Sequence, residues 1–365
     1  MENPISKFGN KSILLCEDDK IALDYENILN IHYPHKKICY FPAHDSLPFS
    51  SESSSSDILL DRSEKLQTLT HNDIIIITCN NLLKKFQINK DADHFLTLTK
   101  NQTIEANTIL EKLVEFNHSN QANAYNKLEF SLRGDILDIY NSNNNPYRIS
   151  FFDNVIETIK EFNPQTQLTF KDEKERIDIF NPNIELLEPS NKDSYFEDIV
   201  MGYSIYTINR SDIILKEKLN FLKTIFDQVQ PEIPFSNYYL EDNKIKNFKF
   251  TNILSSSPKS LKITSNTSLD EFSKMSNKIY FHSGKNSSSI ENEFHQKKNI
   301  EPNYGNNLYF YKSVISKDYL FDGVVHLNKN THTTKKTNLD TIINFNDLSL
   351  GCLLYTSDAA DDPTC

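Results

Sequence analysis

The sequence predicts a multidomain protein of α/β and α+β class, in which two layered α/β regions flank a small antiparallel sheet. First, the 365 residues exceed what a single hydrophobic core usually serves. Second, apolar runs of strand length alternate with amphipathic segments near the N-terminus, and this pattern returns beyond residue 263. Third, short strands with turn signals lie between these two regions, which is typical of an antiparallel sheet.

The first region, residues 1–98, is predicted to contain a parallel sheet covered on both faces. Its connecting segments EDDKIALDYENILNIHY and DILLDRSEKLQTL carry apolar residues at helical spacing. Parallel strands that are buried on both faces read as unbroken apolar runs, because helices cover each face. The predicted strands are SILLC, KICYF and DIIIIT.

The loop FPAHDSLPFSSESSSSD at 41–57 leaves two interpretations open. Its serines favour a flexible surface loop, whereas its prolines are equally compatible with an ordered turn at the C-terminal edge of the sheet. His32, His35 and His44 have no convergent partners in the sequence, and we expect them at the surface or at strand ends. Because no CxxC or Cys/His spacing typical of zinc is present, we expect no metal site.

Residues 99–189 are predicted to form the small antiparallel sheet. Its most informative part is FSLRGDILDIYNSNNNPYRISFFDNVIETIKEF, where the strands predict a three-stranded meander. The pair Asp153-Asn154 is expected to form a two-residue hairpin loop. Such a sheet usually has one dry and one wet face.

Strand alternation assigns the side chains of YRISFF to these two faces. Arg148 and Phe152 fall on the wet face, and Tyr147 and Phe151 fall on the dry face. An exposed aromatic ring beside an arginine is typical of an interface hot spot, although ordinary surface remains the alternative. We expect Arg148→Ala and Phe152→Ala to leave folding nearly intact, and Tyr147→Ala or Phe151→Ala to unfold the sheet.

The remaining chain is assigned by composition and pattern. Residues 190–262 are weakly patterned apart from the helix LKEKLNFLKTIFDQV, and residues 263–338 are predicted to form a second small α/β domain. That domain is expected to hold helices at SLDEFSKM and SSSIENEFHQK and strands at KIYFHS, NLYFYKS and GVVHLNKN. Residues 339–351 are expected to be a linker, and residues 352–365, CLLYTSDAADDPTC, a non-native tail.

Two segments imitate a phosphate-binding loop without meeting its requirements. ISKFGNKS lacks the glycine directly before lysine, and it leads into a strand instead of a helix. HSGKNSSS follows a strand, but Asn286 stands where Ser or Thr would hold magnesium. We therefore expect no catalytic residue, no cofactor and no enzyme activity in this segment.

Several motifs resemble one bacterial family. SLRGDILDIY, PYRISFFDNVIETIKEFNPQTQ and the earlier YFPAHDSLPF followed by DILLDRSEKLQTL resemble the UvrB-like N-terminal module of the transcription-repair coupling factor (Mfd) family. INFNDLSLG resembles the start of that family's RNA-polymerase-interacting domain. The resemblance implies a degenerate P-loop-helicase-like domain over 1–98, the UvrA-interaction domain over 99–189, a shortened remainder of the first domain over 190–262, and a small domain over 263–338.

The resemblance also implies a function and a set of site residues. The family's domain 2 mimics UvrB and docks on UvrA, and its binding residues match Arg133, Arg148 and Phe152. The family is an ATP-driven DNA translocase that reaches RNA polymerase and DNA through C-terminal domains, so ATP and magnesium belong to modules expected beyond Gly351. The alternative is a fragment of a UvrB-type damage-recognition NTPase whose Walker A loop was lost from the N-terminal end.

Charge and hydropathy limit the partners further. The net charge of −11 argues against a large sequence-independent nucleic-acid surface, because phosphate binding needs clustered Lys and Arg. No stretch approaches the roughly 20 apolar residues of a membrane span, and the N-terminus lacks a signal pattern. We therefore expect a cytoplasmic protein with no membrane contact.

Overall fold

A computed structural model gives the structure of the protein. It describes residues 11–50, 54–141, 146–186, 192, 195–200, 202–208, 211–252, 259–260, 279–283, 308–316, 319–321 and 324–328. The chain divides into two compact units, Met1–Asn328 and Lys329–Cys365, and every described residue belongs to the first. The predicted linker and tail, 339–365, lie outside the described residues.

The secondary-structure elements are numbered in chain order. The strands are β1 (Ser12–Cys16), β2 (Ile38–Tyr40), β3 (Ile74–Thr78), β4 (Gln87–Ile88), β5 (Phe95–Thr99), β6 (Ser119–Asn120), β7 (Glu129–Arg133), β8 (Ile136–Tyr140), β9 (Tyr147–Phe152), β10 (Val155–Phe162), β11 (Thr169–Glu173), β12 (Arg176–Phe180), β13 (Glu185–Leu186), β14 (Ser204–Thr207), β15 (Phe250–Asn252), β16 (Lys259–Ser260), β17 (Ile279–Ser283), β18 (Leu308–Lys312), β19 (Tyr319–Phe321) and β20 (Val324–Asn328). The helices are α1 (Asp19–His32), α2 (Ser56–Leu66), α3 (Cys79–Leu83), α4 (Ala106–Glu115), α5 (Tyr195–Val200), α6 (Ser211–Val229), α7 (Phe235–Tyr238) and α8 (Asp242–Ile245).

The first sheet is parallel and buried on both faces, as the unbroken apolar runs predicted. Its described strands lie in the order β15-β14-β1-β3-β2, and each neighbouring pair is parallel. Ile13 and Leu15 of β1 pack into one core cluster with residues of α3, α5 and α6. Leu14 and Cys16 pack on the opposite face with residues of α1. The four positions from Ile13 to Cys16 are therefore all apolar, because each faces a core.

The connecting helices begin and end where local chemistry favours it. At the start of α1, the Asp18 carboxylate accepts a hydrogen bond from the backbone N–H of Ile21 at 2.8 Å, which satisfies one of the donors left free in a first turn. The buried side chains Ala22, Tyr25 and Ile28 recur along one face of the helix. This face packs on the sheet, as the helical spacing predicted.

The parallel sheet is completed by strands from a distant part of the chain. β14 pairs with β1, and β15 pairs with β14, so residues beyond 200 continue the sheet that begins at Ser12. The long helix predicted at LKEKLNFLKTIFDQV is confirmed within α6. All of the elements from β5 to β12 lie in the chain between β3 and β14. The domain boundaries given above stay a prediction.

The region between these halves holds a larger antiparallel sheet than the predicted three-stranded meander. Its described strands lie in the order β11-β10-β9-β8-β7-β6, and all neighbouring pairs are antiparallel except β6 with β7. One face packs on α4 and on the β5–β12 ribbon in a shared apolar cluster. Two of the additional strands lack an apolar signature, because β6 has only two residues and β11 is wholly exposed.

A third, mixed sheet has the described strand order β16-β19-β20-β17-β18, which confirms the three predicted strands of this region. The helices predicted at SLDEFSKM and SSSIENEFHQK lie outside the described residues. The sheet contacts α1 through Asp24, whose carboxylate accepts a hydrogen bond from the backbone N–H of Ser316 at 2.7 Å, and through Ile315, which is buried among α1 residues. His32 also lies in this junction, with its Nε2 3.0 Å from Nε2 of His326.

Within the described ranges, no helix is long and apolar enough to cross a membrane. Among the same residues, no group of three or more His, Cys, Asp or Glu side chains is arranged to hold a metal ion. Cys16 and Cys79 are buried and Cys39 is partly buried, all as free thiols.

Candidate protein-interaction surface

The candidate site lies on the side of the six-stranded sheet that faces away from α4. We define the outer face as Arg133, Ile136, Asp138, Arg148 and Phe152, which lie on β7, β8 and β9. β8 is the central strand of the three, and its register places Asp138 directly across from Arg148. The neighbouring residue pairs then follow from the two-residue period of the strands.

Two tight hairpins position these side chains at one end of the sheet. Arg133 pairs with Ile136, so Gly134 and Asp135 form the turn between β7 and β8. Gly134 has a φ of +59°, a conformation that glycine adopts without the steric penalty of a Cβ. The outer-face ends of β7 and β8 therefore lie next to each other.

The second hairpin confirms the predicted two-residue loop. Phe152 pairs with Val155, and the intervening Asp153 and Asn154 have φ values of 44° and 62°. Two consecutive residues with positive φ match the right-handed twist of the flanking strands. The backbone carbonyl of Asn154 also accepts a hydrogen bond from the N–H of Ile104 at 2.8 Å, which ties the turn to the segment before α4.

The alternation predicted for β9 is confirmed for its aromatic pair. Phe152 is 70% exposed, whereas Phe151 is 9% exposed and belongs to the core cluster on the other face. Ile149 is fully buried on the same side as Phe151. The Phe152 ring contributes little to the stability of the fold, because most of its apolar surface remains in water.

Asp138 is a fully buried carboxylate within the outer face. Arg148 binds both of its oxygens, with Nε 2.7 Å from Oδ1 and Nη2 2.8 Å from Oδ2. Arg133 adds a third contact from Nη2 to Oδ2 at 2.5 Å. A buried charge requires such pairing, since leaving it unpaired is costly.

Arg148 is less exposed than strand alternation alone predicted. Its side chain is 19% exposed, because the guanidinium also donates to the backbone oxygen of Gln167 at 2.9 Å and lies 4.6 Å from the ring centroid of Phe162. The hydrogen bond to Asp138 raises the pKa of Arg148 above its usual value. The expectation that Arg148 faces solvent is therefore corrected, and we now expect its removal to cost stability, because Asp138 would lose a buried partner.

Arg133 and Ile136 are the more accessible residues that share the outer face with Phe152. The Arg133 side chain is 43% exposed and its Nη1 also donates to the side-chain oxygen of Asn123. Ile136 is 40% exposed. The outer face thus presents two apolar groups and one open guanidinium. Whether the three predicted residues bind UvrA stays a prediction.

Sequence reasoning missed the role of Asp138, because alternation groups it with Ile136 and Tyr140 on one face of β8 but does not relate that face to Arg148 on β9. Its pairing with Arg148 depends on the register of β8 against β9, and the intervening segment NSNNNP at 141–146 is rich in turn formers but too long to fix one register. Ile136 could have been found from the same alternation, since it lies two positions before Asp138.

A second polar cluster, buried where α2 and the loop that carries His44 meet β13, was not predicted. Nε and Nη2 of Arg62 donate to the two carboxylate oxygens of Glu185 at 2.7 and 2.6 Å, and His44 lies 3.0 Å from the same carboxylate and 2.9 Å from the hydroxyl of Ser54. Burial lowers the pKa of His44 from 6.5 to about 4. The expectation that His44 is a surface or strand-end residue is wrong, because the loop that carries it packs against β13.

The two segments that imitate a phosphate-binding loop, 5–12 and 282–289, lie mostly outside the described residues. The absence of a cofactor and of catalytic residues stays a prediction.

Comparison with known proteins identifies relatives of the chain. Residues 96–186 match the UvrB interaction domain family. The chain is 29% identical over 212 residues to a transcription-repair-coupling factor of Rickettsia bellii, covering 57% of this chain and 18% of that protein. It is 32% identical over 172 residues to the Rickettsia conorii protein of that name, which covers 45% of this chain and 15% of that protein. It is 27% identical over 224 residues to the Staphylococcus haemolyticus protein of that name, which covers 60% of this chain and 17% of that protein. The match thus spans less than a fifth of the length of these relatives, and the resemblance given by the motifs is confirmed.

Proposed function

We propose that this chain, a relative of transcription-repair-coupling factors, recruits the repair protein UvrA through its outer face. It would thereby link a stalled transcription complex to nucleotide excision repair. The segment itself would act by binding, without catalysis and without a bound nucleotide or metal. Contacts with RNA polymerase and DNA would be made by other domains of the intact protein.

One observation carries the proposal. The region that matches the UvrB interaction domain, 96–186, contains the whole outer face, and within it Phe152 keeps 70% of its surface in water. An exposed ring outside the core that shares its sheet face with two arginines has the composition of an interface anchor. The small Phe152 patch alone would identify no partner, and the match to the UvrB interaction domain supports UvrA as that partner.

The chemistry of the face indicates what it needs from UvrA. Phe152 would enter an apolar pocket, and burial of its ring would supply most of the binding energy. Arg133 would donate charge-assisted hydrogen bonds to a carboxylate or to backbone carbonyls at the rim of that pocket. An acidic rim would also speed association with the exposed guanidinium.

Capture of the full 365-residue chain by immobilised UvrA tests the proposal. We expect the chain to bind constitutively, and Phe152→Ala to weaken the affinity by about tenfold or more. The matched control is Val114→Ala, which removes a 61% exposed apolar side chain from α4, on the opposite side of the sheet. The control should bind like the unaltered chain. Failure of the unaltered chain to bind, or equal capture of both variants, contradicts the proposal.

A further inference from the structure

We infer that Asp138 is a positioning residue of this surface, and that Arg148 supports UvrA capture through Asp138 without touching the partner. The groups that contact UvrA would then be Phe152, Ile136 and Arg133. This division of roles rests on the proposed function and deepens it. The inference follows from the number of N–H donors that Arg133 and Arg148 each leave without an acceptor among the described residues.

The hydrogen bonds of Arg148 are almost all used within the fold. An arginine carries five N–H donors, and four of those of Arg148 point to oxygens of Asp138 and Gln167. Its planar group is also covered by the Phe162 ring at 4.6 Å. A partner that approached Arg148 would find a single donor and a face that is already stacked.

Arg133 is arranged in the opposite way. It donates to Asn123 and Asp138 through one N–H each on Nη1 and Nη2. Among the described residues no acceptor takes its other three N–H groups, and its side chain is more than twice as exposed as that of Arg148. The two fixed donors restrict the plane of the guanidinium, and its exposure leaves the other donors accessible to a partner carboxylate, which an arginine can bind with two hydrogen bonds.

Asp138 connects the two arginines electrostatically. Its carboxylate is fully buried and contacts both guanidinium groups, so the three side chains together carry one net positive charge. Without this carboxylate the guanidiniums would repel each other across a short distance. Without Arg148, Arg133 would be the carboxylate's one remaining cationic partner among the described residues, and would be drawn inward. Either change would remove the outward donors of Arg133.

Ile136 completes the contacting group on geometric grounds. It pairs with Ser150, and Phe152 is the next residue of β9 on the same face, so Ile136 and Phe152 are diagonal neighbours. Such neighbours lie within reach of an aromatic side chain. Together they form a continuous apolar patch beside Arg133, and a pocket that takes the ring of Phe152 would also cover Ile136.

A double-mutant cycle in UvrA affinity tests the positioning role. The full chain is compared as Asp138→Asn, Arg148→Gln and the double variant, at a temperature where circular dichroism finds all of them folded. We expect each single change to weaken affinity about tenfold, and the double variant to recover to within about threefold of the unaltered chain, because the neutral amide pair releases Arg133. Loss of folding stability alone would not produce such a rescue in the affinity of folded protein.

Two further variants separate this inference from the proposed function. Ile136→Ala should weaken capture about fivefold at an unchanged melting temperature, and Phe152→Ala is included as the reference. If Phe152→Ala binds normally, the proposed function itself fails. If Phe152→Ala is weak but the double variant is as weak as Arg148→Gln, then Arg148 touches UvrA directly and the inference is overturned. Unchanged affinity of Ile136→Ala removes Ile136 from the contacting group.

Discussion

Arg62 in α2 binds both carboxylate oxygens of Glu185 in β13, across 123 positions of the chain. The Arg62 side chain is fully buried and that of Glu185 is 4% exposed. The guanidinium also lies 4.2 Å from the ring centroid of Phe41 and donates to the side-chain oxygen of Asn81. The pair therefore joins α2 to the two-stranded ribbon that β13 forms with β4.

Breaking this pair should destabilise the protein strongly. We expect Glu185→Gln to lower the free energy of unfolding by ~3–5 kcal/mol, because Arg62 would remain buried without a counter-charge. Urea unfolding measures the change. The control is Arg176→Ala, which breaks an ion pair with Asp178 in which the arginine side chain is 58% exposed, and which should cost less than ~1 kcal/mol. Equal effects of the two variants would show that the buried pair is dispensable.

The free energy of unfolding should decrease at acidic pH because of the buried His118. This residue is 5% exposed, and burial lowers its pKa from 6.5 to about 4. Its Nε2 accepts a hydrogen bond from Asn141 at 2.9 Å, which suits the neutral ring. Between pH 6.5 and 4 the unfolded chain binds a proton that the folded protein does not. Stability is therefore lost as the pH falls through this window, by up to ~3 kcal/mol from this residue.

The variant His118→Gln isolates that contribution from those of other buried histidines. At pH 7.5 the variant should be clearly less stable than the unaltered protein in urea unfolding. The difference should shrink toward pH 4.5, since only the unaltered protein pays for excluding a proton. A difference that stays constant or grows as the pH falls would be incompatible with a depressed pKa of His118.

The turn between β9 and β10 should tolerate only residues that accept a positive φ. Asn154 has a φ of 62°, and we expect Asn154→Gly to keep or raise the melting temperature. Asn154→Val should lower the free energy of unfolding by ~1–2 kcal/mol, because a β-branched residue clashes in the left-handed conformation. Thermal unfolding compares the two. The same melting temperature for both variants would mean that the turn has another backbone conformation.

Neighbouring phenylalanines of β9 should differ sharply in their effect on folding. Phe151→Ala removes a ring from the core and should cost ~3–5 kcal/mol. Phe152→Ala removes a ring that is mostly in water, and should change stability by less than ~0.5 kcal/mol. Urea unfolding of both variants, beside the UvrA capture described above, separates folding from binding. A reversed order would place the strand one residue out of register.

Apolar runs and turn residues in the sequence predicted the strands and the turn that depend on neighbouring residues alone. The strands SILLC and DIIIIT were evident because both of their faces are buried, and the hairpin at Asp153 and Asn154 was evident from its turn residues. Likewise, the exposure of Phe152 follows from the two-residue period of β9. None of these features requires knowledge of a distant contact.

The parts that sequence reasoning missed all depend on distant contacts. His44 is buried by Glu185, which lies 141 positions away, and nothing near His44 indicates that partner. Arg148 is half of a pair whose other member, Asp138, is fixed by strand register and not by spacing. β14 was overlooked because SIYT is short and weakly apolar, and it becomes a strand by pairing with β1.

The pairing of β1 with β14 has a consequence for how the chain folds. β1 is synthesised long before β14. The central strand of the parallel sheet, β1, therefore lacks one of its two neighbouring strands until late in synthesis. The ribbons β5–β12 and β4–β13 bring the two ends of the intervening polypeptide together, and they can form before β14 is synthesised. Closing that long loop in advance removes most of its entropic cost, so assembly of the antiparallel sheet should precede and accelerate completion of the parallel one.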